Sequence, residues 1–377
     1  MGGTRLLAGD NIRIGLVGPL PPPPGGMANQ TQQLVGLLEQ DGLHVEIIQS
    51  NSPYRPRWIG SVRGARALFR LVPFLVRLWR AAGRVQLFHV MANSGWAWHF
   101  FAAPAVWIAK LRGIPVMVNY RGGDAAEFFK RSFFWIRPTM SMSDQRVVPS
   151  GYLQEVFRSF GLSTEIVPNI IDLDRFAPRP AKPNARAGTH LIVTRNLDPL
   201  YDIPTALRAF AIVQQRRLGA RLTIAGEGPE REMLSALAQE LGVAPHVRFT
   251  GGLKNAAIAE LYRSADVFVN SSLHDNMPIS ILEALASSVP VVSTNVCGIP
   301  FLVEHRKTAI LVPPRDAAAL AEAVLEVLDN PALAEQLVRS GHDLVRQYTW
   351  SHVRPRLLEV YTGLIDGGVS HAKAGVG

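Results

Sequence analysis

The chain has 377 residues, 47% of them hydrophobic and 18% charged, against about 25% charged in an average soluble domain; this excludes a disordered or tail-like protein, and the length predicts two domains, each large enough to bury a core. The formal charge is +9, and the whole excess lies in residues 1–170, which hold 18 basic and 9 acidic side chains, whereas residues 171–377 hold 21 of each. The single cysteine, Cys297, excludes an internal disulfide framework and a cysteine-built zinc site, and predicts a reducing, cytoplasmic compartment.

The first residues, MGGTRLLAGDN, have no apolar core of signal-peptide length, and the most apolar stretch, 96–109, is 14 residues interrupted by His99 and Pro104. Neither a leader nor a membrane-spanning helix is expected. Short β-type runs then alternate with helical stretches, with strands at 12–18, 44–49, 85–91, 115–120 and 164–167 and helices near 27–41, 61–83, 96–112 and 149–160. Residues 175–188, RFAPRPAKPNARAG, carry three prolines and little apolar content, and read as an exposed linker. Beyond it the rhythm restarts. Strands are expected at 190–194, 221–226, 246–250, 266–270 and 289–293, helices near 203–218, 229–242, 255–264 and 279–287, and helical pattern again at 316–329, 331–346 and 351–365.

This alternation predicts an α/β chain of two facing, doubly wound, Rossmann-like domains with a cleft between them. The expected bounds are 1–170 and 171–349, with a last segment, 350–377, free to return to the first domain. In such sheets ligands sit at the carboxyl ends of the strands.

Residues 270–294, NSSLHDNMPISILEALASSVPVVST, carry the most chemistry. A strand ends in small polar residues, a loop holds Asp275, Pro278 suits the first turn of a helix, and Glu283 lies one turn inside it. The helix start offers backbone N–H groups and a positive dipole end to sugar hydroxyls and a phosphate. Glu283 can accept from a vicinal diol such as a ribose; the plainer reading is a solvated or capping glutamate. In the first half, Gly25 and Gly26 follow the first strand within PLPPPPGGMANQ. Glycine lets backbone approach a phosphate or sugar closely, or the pair is an ordinary strand-to-helix connection.

The sequence resembles the group 1, family 4 retaining glycosyltransferases, whose members have the GT-B fold of two facing Rossmann-like domains. The resemblance is carried by Gly226-Glu227-Gly228-Pro229 after RLTIAG, VRFTGGL at 247–253, LYRSADVFVNSS at 261–272, the 275–283 segment with EALASSVPVVST, and GIPFLVEHRKTAILVPPRDAAALAEAV at 298–324. It implies that the second half binds a nucleotide-sugar donor, with Gly226 in its binding surface, and the first half an acceptor. Glu283 is then expected to hold the ribose. Asp275, Asn276, Met277, Pro278 and Ile279 contact the transferred sugar and the diphosphate, and Gly25 and Gly26 close over the donor.

Three positions depart from the family pattern. Arg121, in VNYRGGD, fills the place where many relatives have a histidine beside the transferred sugar; in TRNLDPLYD, Arg195 or Asn196 takes the place of the usual arginine and Tyr201 that of the usual lysine; and Asp275 replaces a glutamate. A departing nucleoside diphosphate gathers negative charge in the transition state, where aimed cations and hydrogen-bond donors gain most rate. Arg195, Arg121, the helix start after Pro278 and Lys254 are expected to share that role. The other reading of Arg121 is a structural arginine paired with Asp124 or Glu127.

The implied activity is transfer of a sugar, with retention, from a nucleotide-diphosphate sugar to a saccharide or lipid-linked acceptor, in cell-surface polysaccharide or glycolipid biosynthesis. No cofactor and no metal are expected, since the ten histidines have no ligand-like spacing with Cys or acids. A nucleotide-sugar epimerase or phosphorylase on the same fold, and a non-catalytic partner that binds sugar nucleotides or membrane, are the alternatives.

Residues 55–84 hold eight arginines and no acid. On a helix, Arg63, Arg66, Arg70, Arg77, Arg80 and Arg84 fall within an arc of about 100°, with Val62, Leu68, Phe69, Val72, Leu75 and Trp79 over the remainder and a kink at Pro73. Such a helix can lie on an anionic membrane, each arginine near the surface contributing about 1 kcal/mol before salt screening, or it can cover the sheet with its arginines in water. Arginine in excess over glutamate favours a membrane or an anionic acceptor, which predicts a peripheral association with the inner face of the cell membrane. Nucleic acid is not an expected partner, because no recognition motif accompanies the basic stretch and the second half is neutral.

Overall fold

The computed structural model describes residues 12–22, 25–53, 66–178, 188–253 and 255–374. The chain divides into two compact units, Met1–Pro168 together with Arg354–Gly377, and Asn169–Val353.

The first unit alternates β1 (Arg13–Gly18), α1 (Gly26–Gln40), β2 (His44–Gln49), α2 (Arg66–Ala81), β3 (Leu87–Ala92), α3 (Ala103–Leu111), β4 (Val116–Tyr120), α4 (Ala125–Met142), β5 (Gln145–Val148), α5 (Gly151–Ser159) and β6 (Glu165–Ile166). The six strands form one parallel sheet in the order β2-β1-β3-β4-β5-β6. β3, LFHVMA, and β4, VMVNY, are buried at every position, as strands covered on both faces must be. Over one face an aromatic core interlocks, with Tyr120 and Phe129 each edge-on to Phe157 at 5.2 and 4.9 Å between ring centroids.

α4 and β5 are absent from the sequence expectation. In α4, AAEFFKRSFFWIRPTMSM, the buried Ala125, Phe128, Phe129, Ile136, Thr139 and Met140 recur at helical spacing, but Pro138 interrupts and Phe134 and Trp135 are 80% and 72% exposed, so apolar residues outside the inward stripe mask it. β5, QRVV, has only two apolar residues.

α2 carries Pro73 inside it and buries Phe74, Leu78 and Ala81. Its expected apolar side is split, since Phe69, Val72, Val76 and Trp79 are exposed next to Arg77 and Arg80. Arg84 is not a free cation of this face: it is ion-paired with Glu46 of β2, its Nε donating to Oε2 at 3.0 Å. Arg63 and the side chain of Arg66 lie outside the described residues. Leu75, Val76, Trp79, Trp107 and Ile108 line an apolar groove of about 650 Å³ between α2 and α3. Among the described residues no helix is long and apolar enough to cross a membrane.

The second unit continues with β7 (His190–Val193), α6 (Ile203–Arg216), β8 (Arg221–Ala225), α7 (Arg231–Glu240), β9 (Val247–Gly251), α8 (Asn255–Ser264), β10 (Val267–Asn270), α9 (Ile279–Ala286), β11 (Val291–Thr294), α10 (Ile299–Leu302), β12 (Ile310–Val312), α11 (Ala317–Asp329) and α12 (Pro331–Arg346). Its sheet is also parallel, ordered β12-β11-β10-β7-β8-β9. Successive strand residues feed opposite faces. Leu191, Val193, Val267 and Val269 enter one core with Leu207, Phe210 and Val324, whereas Ile192 and Phe268 enter the other with Ile281, Leu282 and Leu285. Each such side chain, fully buried, contributes about 1.5–3 kcal/mol. Asp316 and Asn330 cap α11 and α12, accepting from the backbone N–H of Ala319 at 2.8 Å and of Leu333 at 3.1 Å.

The last helix, α13 (Trp350–Ala374), belongs from Arg354 onward to the first unit. There Arg354 Nε donates to Asp41 at 2.6 Å and Tyr361 meets His89 of β3. In both sheets the strand order reverses beside the first strand of the unit, between β1 and β3 and between β7 and β10. Those are the points where parallel α/β sheets open a crevice for ligands.

Candidate active site

At the switch point of the second unit two loops meet, 194–202 after β7 and 271–278 after β10. The first rests on the GEGP block. Leu197 N–H donates to the Glu227 carbonyl at 3.0 Å, and a Cβ on Gly226 or Gly228 would stand 2.0 Å from the Arg195 carbonyl oxygen or 2.3 Å from that of Leu197. Only glycine lets these backbones approach so closely, so Gly226 seats the Arg195 loop. The second loop stands on small polar residues that are buried and mutually bonded. Asn270 Nδ2 donates to Ser293 Oγ (2.9 Å), Ser272 Oγ to Asn270 Oδ1 (2.8 Å) and Thr294 Oγ1 to the Ser272 carbonyl (2.6 Å). Ser271 Oγ and Leu273 N–H bind the carbonyls of Tyr201 and Leu200, both at 2.8 Å, tying the loops together. Gly298 N–H donates to the Asp275 carbonyl at 2.8 Å, and Asn169 Nδ2 to that of Met277 at 3.1 Å.

Onto this base the sequence-predicted side chains converge. Arg195 is ion-paired with Asp275, donates through Nη1 to Ser280 Oγ at 3.1 Å, and stacks its guanidinium 4.2 Å from the Tyr201 ring centroid. Both charges are nearly buried, at 10% and 13% side-chain exposure, and Arg195 Nε is a buried N–H with no acceptor among the described residues. Asn196, the other candidate for the arginine's place, is exposed. The ring at position 201, where the family has a cation, supports the neighbouring cation. Lys254 lies outside the described residues.

One turn into α9, Glu283 accepts from the Tyr262 hydroxyl at 2.9 Å. A phenol has one proton to give, so Thr194 Oγ1, 2.6 Å from the same hydroxyl, is the hydrogen-bond donor to it. Burial pushes the Glu283 carboxyl up to about 7, against the Tyr262 hydrogen bond and the positive charges of Arg175 and Arg195. Burial likewise raises the Tyr201 phenol, while Arg195 lowers it.

In the first unit, Gly25 precedes α1 in extended conformation, φ −178°. Among the described residues, added Cβ atoms at Gly25 and Gly26 would meet nothing within 4 Å, so packing against those residues does not demand glycine at either position. Arg121 follows β4, its backbone N–H on the Ala92 carbonyl at 2.9 Å and its Nε on Asn119 Oδ1 at 3.0 Å. Glu127 is paired elsewhere, with Lys130 at 2.8 Å and Arg131 at 3.9 Å. Burial pushes Arg121 down to about 10, which leaves it charged at neutral pH.

The family model described as "Glycosyl transferases group 1" matches residues 179–343, and that described as "Glycosyltransferase Family 4" matches residues 24–175. The chain is a group 1 glycosyltransferase. It is 26% identical to the phosphatidyl-myo-inositol mannosyltransferase of Mycobacterium leprae, across 95% of this chain and 98% of the relative. It is 29% identical to the GDP-mannose-dependent alpha-(1-6)-phosphatidylinositol monomannoside mannosyltransferase of Mycobacterium tuberculosis, across 91% and 96%. The transferase also shares its GT-B fold with sucrose-phosphate synthase of Thermosynechococcus elongatus, at TM-score 0.74, 20% identity and 94% and 100% coverage. Anabaena HepE, solved in complex with UDP-glucose, gives TM-score 0.74 at 17% identity over 93% and 100%.

Several site residues of the transferase escape sequence reasoning. Tyr262 lies inside the LYRSADVFVNSS block, but its bond to Glu283 joins α8 to α9. Ser280 and Ser271 read as generic small residues, and Asn169 sits before the linker. Among the described residues no group of three or more His, Cys, Asp and Glu side chains is placed to hold a metal ion.

Proposed function

We propose that this glycosyltransferase moves a sugar, with retention, from a nucleotide-diphosphate sugar to a lipid-linked anionic acceptor on the inner face of the cell membrane, without metal or other cofactor. The observation that carries the reading is the convergence of Arg195, Asp275, Ser280 and Glu283 at the carboxyl ends of β7 and β10. Glu283 accepts hydrogen bonds from the ribose diol. Asp275 and the backbone of Asn276, Met277, Pro278 and Ile279 seat the sugar and the diphosphate at the start of α9, where backbone N–H groups and the helix dipole favour anionic oxygens. The leaving diphosphate is neutralised by Arg195, already oriented by Asp275, Ser280 and Tyr201, and by Arg121. Cations fixed before the reaction need no reorganisation as charge develops.

The acceptor side is supported by the first unit. Trp79, Trp107, Phe134 and Trp135 stand exposed on α2, α3 and α4 beside the exposed Arg77, Arg80, Arg131 and Arg137. Aromatic and basic side chains together suit an anionic lipid surface. The two mycobacterial relatives carry phosphatidylinositol acceptors in their names, which supports an acceptor of that chemical class. Nucleic acid is not a proposed partner.

The test is a thermal-shift screen of nucleotide sugars including GDP-mannose and UDP-glucose, followed by hydrolysis and transfer assays. The expected result is stabilisation by one donor, loss of it in Glu283→Ala, and in Arg195→Ala a fall in kcat of about 10²-fold with a smaller change in donor affinity. No stabilisation by any nucleotide sugar overturns the proposal, and binding without hydrolysis or transfer favours a non-catalytic partner.

A further inference from the structure

The sheet face of the first unit under α13 holds a buried polar chain that packing alone does not require. His89 in β3 and Asn119 in β4 are 0% and 1% exposed, and Tyr361 in α13 is 0%. His89 Nδ1 lies 2.6 Å from the Tyr361 hydroxyl and His89 Nε2 lies 2.9 Å from Asn119 Nδ2. Asn119 Oδ1 accepts from Arg121 Nε at 3.0 Å. The residues lie on one face because Asn119 and Arg121 are two positions apart.

The polarity of this chain follows from its one fixed end. A guanidinium only donates, so the Asn119 oxygen faces Arg121 and its amide nitrogen faces His89. Nε2 is therefore an acceptor, the ring proton sits on Nδ1, and Nδ1–H donates to the Tyr361 oxygen. A protonated imidazole would set two hydrogen-bond donors against each other at Nε2. In agreement, burial and then the charge of Arg121 push the imidazole down to about 3. Buried polar groups joined by hydrogen bonds favour one geometry, and the geometry held here is that of Arg121.

We propose that Asn119, His89 and Tyr361 are positioning residues that hold the Arg121 guanidinium at the carboxyl end of β4, making α13 part of the machinery for transfer. The inference rests on the role given to Arg121 above, and deepens it. Tyr361→Phe keeps the ring and removes the acceptor of Nδ1–H. With the donor found by the screen, kcat is expected to fall about tenfold or more, as for a catalytic group slightly misplaced, with donor KM little changed and no further loss when the substitution is added to Arg121→Ala. Equal losses in the presence and absence of Arg121, or no loss in either while Arg121→Ala is itself impaired, overturn the positioning role. Normal turnover by Arg121→Ala fails earlier, by removing the role of Arg121 itself and with it the reason for positioning. Long-range 1H–15N spectra at pH 7 test the chain without any donor. His89 should be neutral and protonated on Nδ1; an Nε2–H tautomer or an imidazolium overturns the arrangement.

Discussion

Glu283 is a carboxyl whose charge changes near neutrality. Its carboxyl titrates about 7 in the folded chain and near 4.3 when unfolded. Between those values the folded state binds more protons, so stability contributed at this position declines as pH rises from about 4.5 to 7. Binding runs the other way, because the ionised carboxylate is acceptor-only on both oxygens and suits two diol hydroxyls better than the acid, in which one oxygen carries a proton. Donor Kd is therefore expected to fall as pH rises from 5.5 to 8, while the melting temperature of the unliganded protein falls relative to Glu283→Gln. In Glu283→Gln the pH trend in Kd should be missing. Calorimetric titrations that stay parallel for the two proteins would refute the assignment.

At the level of elements, the loop 271–278 keeps its shape because α10 begins immediately beneath it. A Cβ on Gly298 would stand 1.8 Å from the Asn276 carbonyl oxygen and 2.5 Å from its carbon. Backbone cannot escape by a rotamer, so Gly298→Ala must shift the loop, with an expected stability loss of about 1–3 kcal/mol and weaker donor binding, read by denaturant melts and titration. An unchanged donor Kd would mean that this loop does not seat the donor. The same loop explains what was legible in advance. A strand, a loop acid, a proline and a helical glutamate follow one another along the sequence, so Asp275 through Glu283 could be found by reading. Tyr262 beneath Glu283, Tyr201 beneath Arg195 and Gly298 beneath Asn276 are paired across elements, where no period or spacing marks them. Strand patterns near 266–270 and 289–293 located β10 and β11 for a different reason, their continuous apolar character. α4 escaped because Phe134 and Trp135 on its exposed side, and Pro138 within it, mask its inward stripe.

For the whole molecule the charge excess and the exposed tryptophans belong to one unit, and the Arg195–Glu283 cluster to the other. Association with anionic vesicles is expected to weaken as salt rises from 0.05 to 0.5 M, roughly as the screening length shrinks, while donor affinity changes much less. Arg77→Glu with Arg80→Glu should lower vesicle binding and leave donor hydrolysis intact; flotation assays in which both proteins bind alike would refute the surface. The division of the chain also sets an order of assembly. Residues 169–353 are contiguous, whereas the other unit is completed by residues from Arg354 onward. Domains generally fold as units during synthesis. The later-encoded unit can thus finish first, while β3, made much earlier, waits with His89 uncovered until Tyr361 leaves the ribosome. The amino-terminal unit is completed only by this last helix, so a chain cut before Arg354 would leave His89 and Asn119 of its sheet uncovered and invite aggregation at the half that was synthesised first.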